Sequence, residues 1–145
     1  MSNNKASVKT AADLDLLSED DPPAAVIFGI EGLVLTKAEE DLFRATKPLG
    51  FILFARNCDN PQQVRDLCDS LHRVVGRQVP ILIDQEGGRV QRLKAPHWTD
   101  YPPAQFFTGV YTQDHIKGRQ ALADCITGIA QELLDVGVNV NCAPV

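Results

Sequence analysis

Four short apolar runs, Ala24–Ile30, Gly50–Phe54, Val79–Ile83 and Val138–Cys142, divide this chain, and the stretches between them carry helix signals. Near-continuous apolar strands in the order β-α-β-α-β-loop-α-β demand a parallel sheet covered by helices, because only strands buried on both faces dispense with polar alternation. Length then separates the architectures open to such a pattern. A doubly wound sheet closes within 145 residues, whereas a (β/α)8 barrel takes about 250, so four strands amount to half of one.

The helices announce themselves at their ends. Thr36 and Glu39 form a capping box that opens a helix ending before Pro48. Asn60 as cap and Pro61 at the first helical position start a second, in which Val64, Leu67, Cys68, Leu71, Val74 and Val75 follow the helical period and Gly76 closes it. The longest helix is expected over Asp114–Val136, with Leu122, Cys125, Ile126, Ile129, Ala130 and Leu133 on one face and Gly137 beyond its end. A long connection from Asp84 to about Thr112 contains Ala95-Pro96-His97-Trp98 and Tyr101-Pro102-Pro103. Connections of that length are usually functional or carry small elements. Met1–Pro23, rich in Ser, Asn, Lys, Asp and Glu, reads as a flexible leader, and its Glu19-Asp20-Asp21 run as a solvated tail.

Composition excludes several classes. A net charge of −5 with no basic cluster argues against a nucleic-acid partner, since that binding needs a basic face. No apolar stretch approaches the ~20 residues of a membrane span, and the polar start lacks a secretory segment, so the expected location is the cytoplasm. Cys58, Cys68, Cys125 and Cys142 show neither paired nor metal-finger spacing, three of them sit in apolar patterns, and they read as reduced core residues. His115 and Cys125 stand ten positions apart with no third ligand at a suitable interval, so a metal site is not expected. The first strand-to-helix turn, Gly29-Ile30-Glu31-Gly32-Leu33, lacks the dinucleotide fingerprint, and no phosphate-binding loop occurs.

The chemistry concentrates in Asp84-Gln85-Glu86-Gly87-Gly88-Arg89-Val90-Gln91-Arg92, directly after the third strand. The carboxyl ends of parallel strands are where α/β folds place ligands. Gly87 and Gly88 let the backbone turn and approach a ligand, Asp84 can accept two hydroxyl hydrogen bonds, and Arg89 and Arg92 offer planar charged donors. Such a set suits a polyhydroxylated ligand. Asp84 and Glu86 would share one side as an acid and base pair only if the strand ran on. Gly87 argues against that, which leaves a ligand-binding Asp84 and a structurally bonded Glu86. Trp98 is expected to anchor the long connection in preference to stacking on a sugar ring.

Taken together, Ile52-Leu53-Phe54-Ala55-Arg56-Asn57, Ile83 to Arg92, Pro102-Pro103-Ala104-Gln105 and Asn141-Cys142-Ala143-Pro144-Val145 closely resemble the family 3 glycoside hydrolases, in the subgroup of bacterial β-N-acetylglucosaminidases. The resemblance runs from about Ala24 to Val145. It implies the amino-terminal half of a (β/α)8 TIM barrel, with 24–145 a partial catalytic domain, in an enzyme that removes terminal β-linked N-acetylglucosamine from muropeptides during cell-wall recycling. A small carbohydrate is the implied partner, and no metal or organic cofactor is implied. Asp84 looks like the carboxylate that binds hydroxyls of the terminal sugar, and Arg92 like its companion. Arg56, Asn57 and Glu86 are further candidates to line the site, the first two serving loop structure as readily as sugar contact. In the family the nucleophile is an aspartate on a late strand, and the acid/base is a histidine paired with an aspartate in a mobile loop. His72, His97 and His115 sit in no such context, so no catalytic residue is expected within these 145 residues, and the reading is of a fragment inactive alone. A non-catalytic sugar-binding half-barrel or a decayed gene product is the alternative.

Overall fold

In the computed structural model the described residues are 22–144; the expected leader falls almost entirely outside them. Six strands and four longer helices follow one another as β1 (Ala24–Gly29), α1 (Lys37–Thr46), β2 (Pro48–Leu53), α2 (Pro61–Val75), β3 (Ile81–Ile83), β4 (Gln85–Gly87), β5 (Val90–Gln91), α3 (Ala104–Gln113), α4 (His115–Asp135) and β6 (Val140–Asn141). A single 3₁₀ turn, Ala55–Asn57, follows β2. β1, β2, β3 and β6 form one parallel sheet in that order, as the apolar strand pattern required. The fold is α/β, the amino-terminal half of a (β/α)8 barrel.

One face of this sheet makes the core. Phe51, Leu53, Ile81 and Ile83 are fully buried against Phe43 of α1, Val64, Leu67 and Leu71 of α2, and Ile129 and Leu133 of α4. Phe43 packs between Phe28 and Phe51 at ring-centroid distances of 5.5 and 4.8 Å. On the opposite face Ile52, Leu82 and Val140 are part-buried and Ile27 is exposed. No element among the described residues covers it.

Both predicted caps form. Thr36 accepts from the Glu39 backbone N–H while the Glu39 carboxylate accepts from Thr36 N at 2.8 Å, and Asn60 accepts from Gln63 N at 3.0 Å ahead of Pro61. Gly76 ends α2 in the left-handed region at φ 71°. α4 starts on Asp114, whose carboxylate accepts from Ile116 N and Lys117 N, both at 3.0 Å. Those two N–H groups hold the Asp114 carboxyl below its usual range.

The strands differ from their expected limits for local reasons. β2 begins at Pro48, two residues early, since a first strand position needs no donor. β3 begins at Ile81 instead of Val79 because Pro80 has no N–H to donate. β6 is shorter than Val138–Cys142 because the Asn139 side chain substitutes for the ladder, accepting from Ile81 N at 2.8 Å and donating to Val79 O at 3.1 Å. The long connection carries small elements, one of the two readings its length allowed: β4 and β5 pair antiparallel as a hairpin, and α3 follows Pro103.

The α4 face is a partial correction. Ile129 and Leu133 are buried, but Leu122 and Ile126 are 43% and 55% exposed. They line an apolar concavity of about 570 Å³ between α3, α4 and β6. Helical periodicity locates an apolar stripe without saying what covers it. Trp98, 9% exposed, belongs to the core cluster, which agrees with the anchoring role. All four cysteines are free thiols, Cys68 buried and the other three half-buried. No helix is long and apolar enough to cross a membrane among the described residues.

Candidate functional site

The nine-residue motif is built as a strand end followed by a tight hairpin. β3 stops at Ile83, Asp84 stands at its carboxyl end, and β4 and β5 double the chain back so that Gln85 lies opposite Gln91. The reversal requires Gly87 and Gly88, at φ 93° and 61°, where side chains are strained. A Cβ at Gly87 would strike the Pro102 carbonyl, and one at Gly88 would stand 2.8 Å from Pro103 Cβ. The glycines therefore also let the hairpin press against Tyr101–Pro103, where Gly88 N donates to Tyr101 O at 2.8 Å.

This reversal brings together the two residues that sequence reasoning put first. Arg92 Nη2 donates to Asp84 Oδ2 at 2.6 Å, with both side chains about a quarter exposed, at 26% and 23%. Arg92 Nε is buried and has no hydrogen-bond partner. The pair thus lies at the carboxyl edge of the sheet with one guanidinium donor unused. Cys142, at the end of β6, is a neighbour: burial and then the Asp84 carboxylate push its thiol above the usual range.

Two buried glutamines, which sequence reasoning did not single out, hold the hairpin. Gln85 Oε1 accepts from Arg92 N at 2.8 Å and Leu93 N at 3.1 Å, and its Nε2 donates to Leu93 O at 3.0 Å. Gln91 Nε2 donates to Leu93 O at 2.8 Å and Thr99 O at 2.7 Å, and its Oε1 accepts from Tyr101 N at 3.2 Å. Asn141 of β6 grips the Gln85 backbone from the other side, accepting from Gln85 N at 3.0 Å and donating to Gln85 O at 2.9 Å. Glu132 of α4 accepts from Thr99 N and Oγ1 at 3.2 and 2.7 Å. The sequence signal for this clasp was a polar amide inside an apolar run, at Asn141.

The other candidates lie around the pair in different roles. Asn57 is fully buried: Phe54 N donates to its Oδ1 at 2.9 Å, and its Nδ2 donates to Ile30 O at 3.0 Å and Gly32 O at 2.7 Å. Its amide is committed to tying the β1–α1 turn to the end of β2. Exposed Arg56 also donates from Nε to Ile30 O, at 2.9 Å, and its guanidinium carbon lies 4.6 Å from the Phe54 ring centroid. Glu86 is half-buried and lines the apolar concavity. The histidines are engaged elsewhere. His72 accepts from Val79 N at 3.2 Å at the opposite end of β3, His97 packs on Trp98, and His115 stacks on Tyr111. No group of three metal-ligating side chains occurs among the described residues.

The chain is 37% identical to a Beta-hexosaminidase of Alkalilimnicola ehrlichii over 120 residues, 83% of this chain and 34% of that protein. It is 40% identical over 124 residues to the Beta-hexosaminidase of Methylobacillus flagellatus, again with 83% and 34% covered. It therefore spans about a third of the length of these curated relatives. Among solved structures it superimposes on NagZ from Neisseria gonorrhoeae in complex with N-trifluoroacetyl-D-glucosamine with a TM-score of 0.79, 26% identity, and 85% and 36% of the two chains covered. A family 3 β-N-acetylglucosaminidase from Paenibacillus sp. str. FPU-7 gives a TM-score of 0.71 at 29% identity, with 81% and 22% covered. Residues 32–145 match the Glycosyl hydrolase family 3 N terminal domain, and the chain belongs to that family.

Proposed function

We propose that residues 24–145 are the sugar-holding part of a β-N-acetylhexosaminidase that hydrolyses terminal β-linked N-acetylglucosamine, with Asp84 and Arg92 as substrate-binding residues. The observation that carries this reading is the Asp84–Arg92 pair at the carboxyl end of β3, with a buried Arg92 Nε left without a partner. The ion pair locks the carboxylate in place, and the quarter of each side chain left exposed offers a hydroxylated ring an acceptor on Asp84 beside guanidinium donors of Arg92. The sugar derivative bound by the gonococcal neighbour supports a carbohydrate of this class.

The full reaction is proposed to be the retaining hydrolysis of muropeptides in cytoplasmic cell-wall recycling. That mechanism needs a nucleophile beneath the anomeric carbon and an acid/base group on the leaving oxygen. The family resemblance implies an aspartate of a late strand and a histidine of a mobile loop for these roles, and His72, His97 and His115 make other contacts, so we assign both groups, on that resemblance, to polypeptide outside these 145 residues. Calorimetric titration of the chain with N-acetylglucosamine tests the binding role. Saturable heat that disappears in Asp84→Asn is expected, and unchanged affinity in that variant would remove the role assigned to Asp84. The substitution itself should cost under about 1 kcal/mol of stability, because the pair is partly screened by water.

A further inference from the structure

Asp84 and Arg92 are eight residues apart, so their pairing depends on how firmly the hairpin register is held. The ladder that holds it is short. β5 is two residues long, and the β4–β5 pairing is irregular between Gln85 and Gly87. At Arg92 and Leu93 the strand no longer continues, and the Gln85 side chain stands in for it, accepting from both backbone N–H groups at 2.8 and 3.1 Å. Gln85 is 1% exposed, and its own backbone is clamped by Asn141.

We propose that Gln85 is a positioning residue, which sets the Arg92 guanidinium opposite Asp84 by binding the backbone N–H groups of Arg92 and Leu93. The inference rests on the reading of that pair as a sugar site and extends it to the residue that builds the site. A leucine at this position would fill similar volume, so core filling alone does not require an amide. What leucine would remove is the acceptor for Arg92 N and Leu93 N. Leu93 O would keep its donor, Gln91 Nε2 at 2.8 Å, so the loss falls on the backbone that carries Arg92. A protonated glutamate would keep the acceptor and turn its hydroxyl to Leu93 O in place of the amide donor, and burial favours that neutral form, so this variant is read at pH 4.5 beside the unsubstituted chain at the same pH. Hence Gln85→Leu and Gln85→Glu separate positioning from packing.

The test uses the full chain with either substitution, read by ¹⁵N NMR of the Arg92 Nε–H, assigned through Arg92→Lys, and by titration with N-acetylglucosamine. In Gln85→Leu the Arg92 resonance should move and the affinity should fall about tenfold or more, the effect of orphaning a buried donor. In Gln85→Glu at pH 4.5 both should stay near those of the unsubstituted chain at that pH, within about threefold in affinity. Backbone amides of α2 should be unchanged in both. An unmoved Arg92 resonance and unchanged affinity in Gln85→Leu, or equal loss in Gln85→Glu, would overturn the proposal. If the leucine variant does not fold, the glutamate variant at pH 4.5 decides: an Arg92 resonance matching the unsubstituted chain supports positioning and a displaced one refutes it. If the unsubstituted chain binds no N-acetylglucosamine while the Arg92 resonance still tracks residue 85, positioning stands and the sugar reading falls.

Discussion

Removing the Asn57 amide isolates one element of this architecture. Asn57→Ala deletes one acceptor and two donors at a fully buried site. Ile30 O keeps a partner, because Arg56 Nε donates to it at 2.9 Å. Phe54 N and Gly32 O lose their side-chain partner outright, at a part-buried turn where water satisfies them only in part. Two such losses at about 1–3 kcal/mol each, reduced by that access, give a destabilisation of about 3 kcal/mol. With a urea dependence of about 1.5 kcal/mol per M, the unfolding midpoint should drop by about 2 M. Asn57→Asp provides the control. It keeps the acceptor for Phe54 N but sets a carboxylate against two carbonyl oxygens, so it should be no better than alanine. Equilibrium urea unfolding followed by Trp98 fluorescence reads both variants. A midpoint shift below about 0.3 M for alanine would refute the claim that this amide joins the β1–α1 turn to β2.

Two further outcomes follow from the same geometry. Gly87→Ala forces a side chain into a left-handed backbone and against the Pro102 carbonyl, and should cost about 3 kcal/mol, whereas Gly32→Ala, with nothing within 4 Å, should stay within about 0.5 kcal/mol; urea midpoints of the two variants check this. Burial lowers the pKa of His72, which accepts from Val79 N as the neutral ring, with Asp69 opposing the shift. The unfolded chain then binds the proton more tightly than the folded one, so stability is complete above about pH 6.5 and declines as pH falls through the lowered folded value. Urea midpoints at pH 5 and pH 7 should show that decline, and His72→Gln should flatten it.

Features fixed between near neighbours in the chain were legible from sequence. The Thr36–Glu39 capping box, the Asn60-Pro61 start and the Gly76 stop each span a few residues, so residue identities alone specify them. The apolar runs set strand order and a parallel sheet, and the Asp84–Arg92 motif was recognisable by its residues. The hairpin was not, because Gly87 and Gly88 signal a turn without naming which strands return from it. Nor were the buried amides. Asn57 bonds a carbonyl 27 positions away and Asn141 bonds Gln85 across 56, so only the folded chain decides which polar groups they meet. The sequence alone determined that Asp84 stands at a strand end and that α4 carries an apolar stripe. The tertiary structure decided that Arg92 reaches Asp84, that two glutamines hold it there, and that Leu122 and Ile126 stay exposed, because long-range hydrogen bonding and burial depend on which elements pack together.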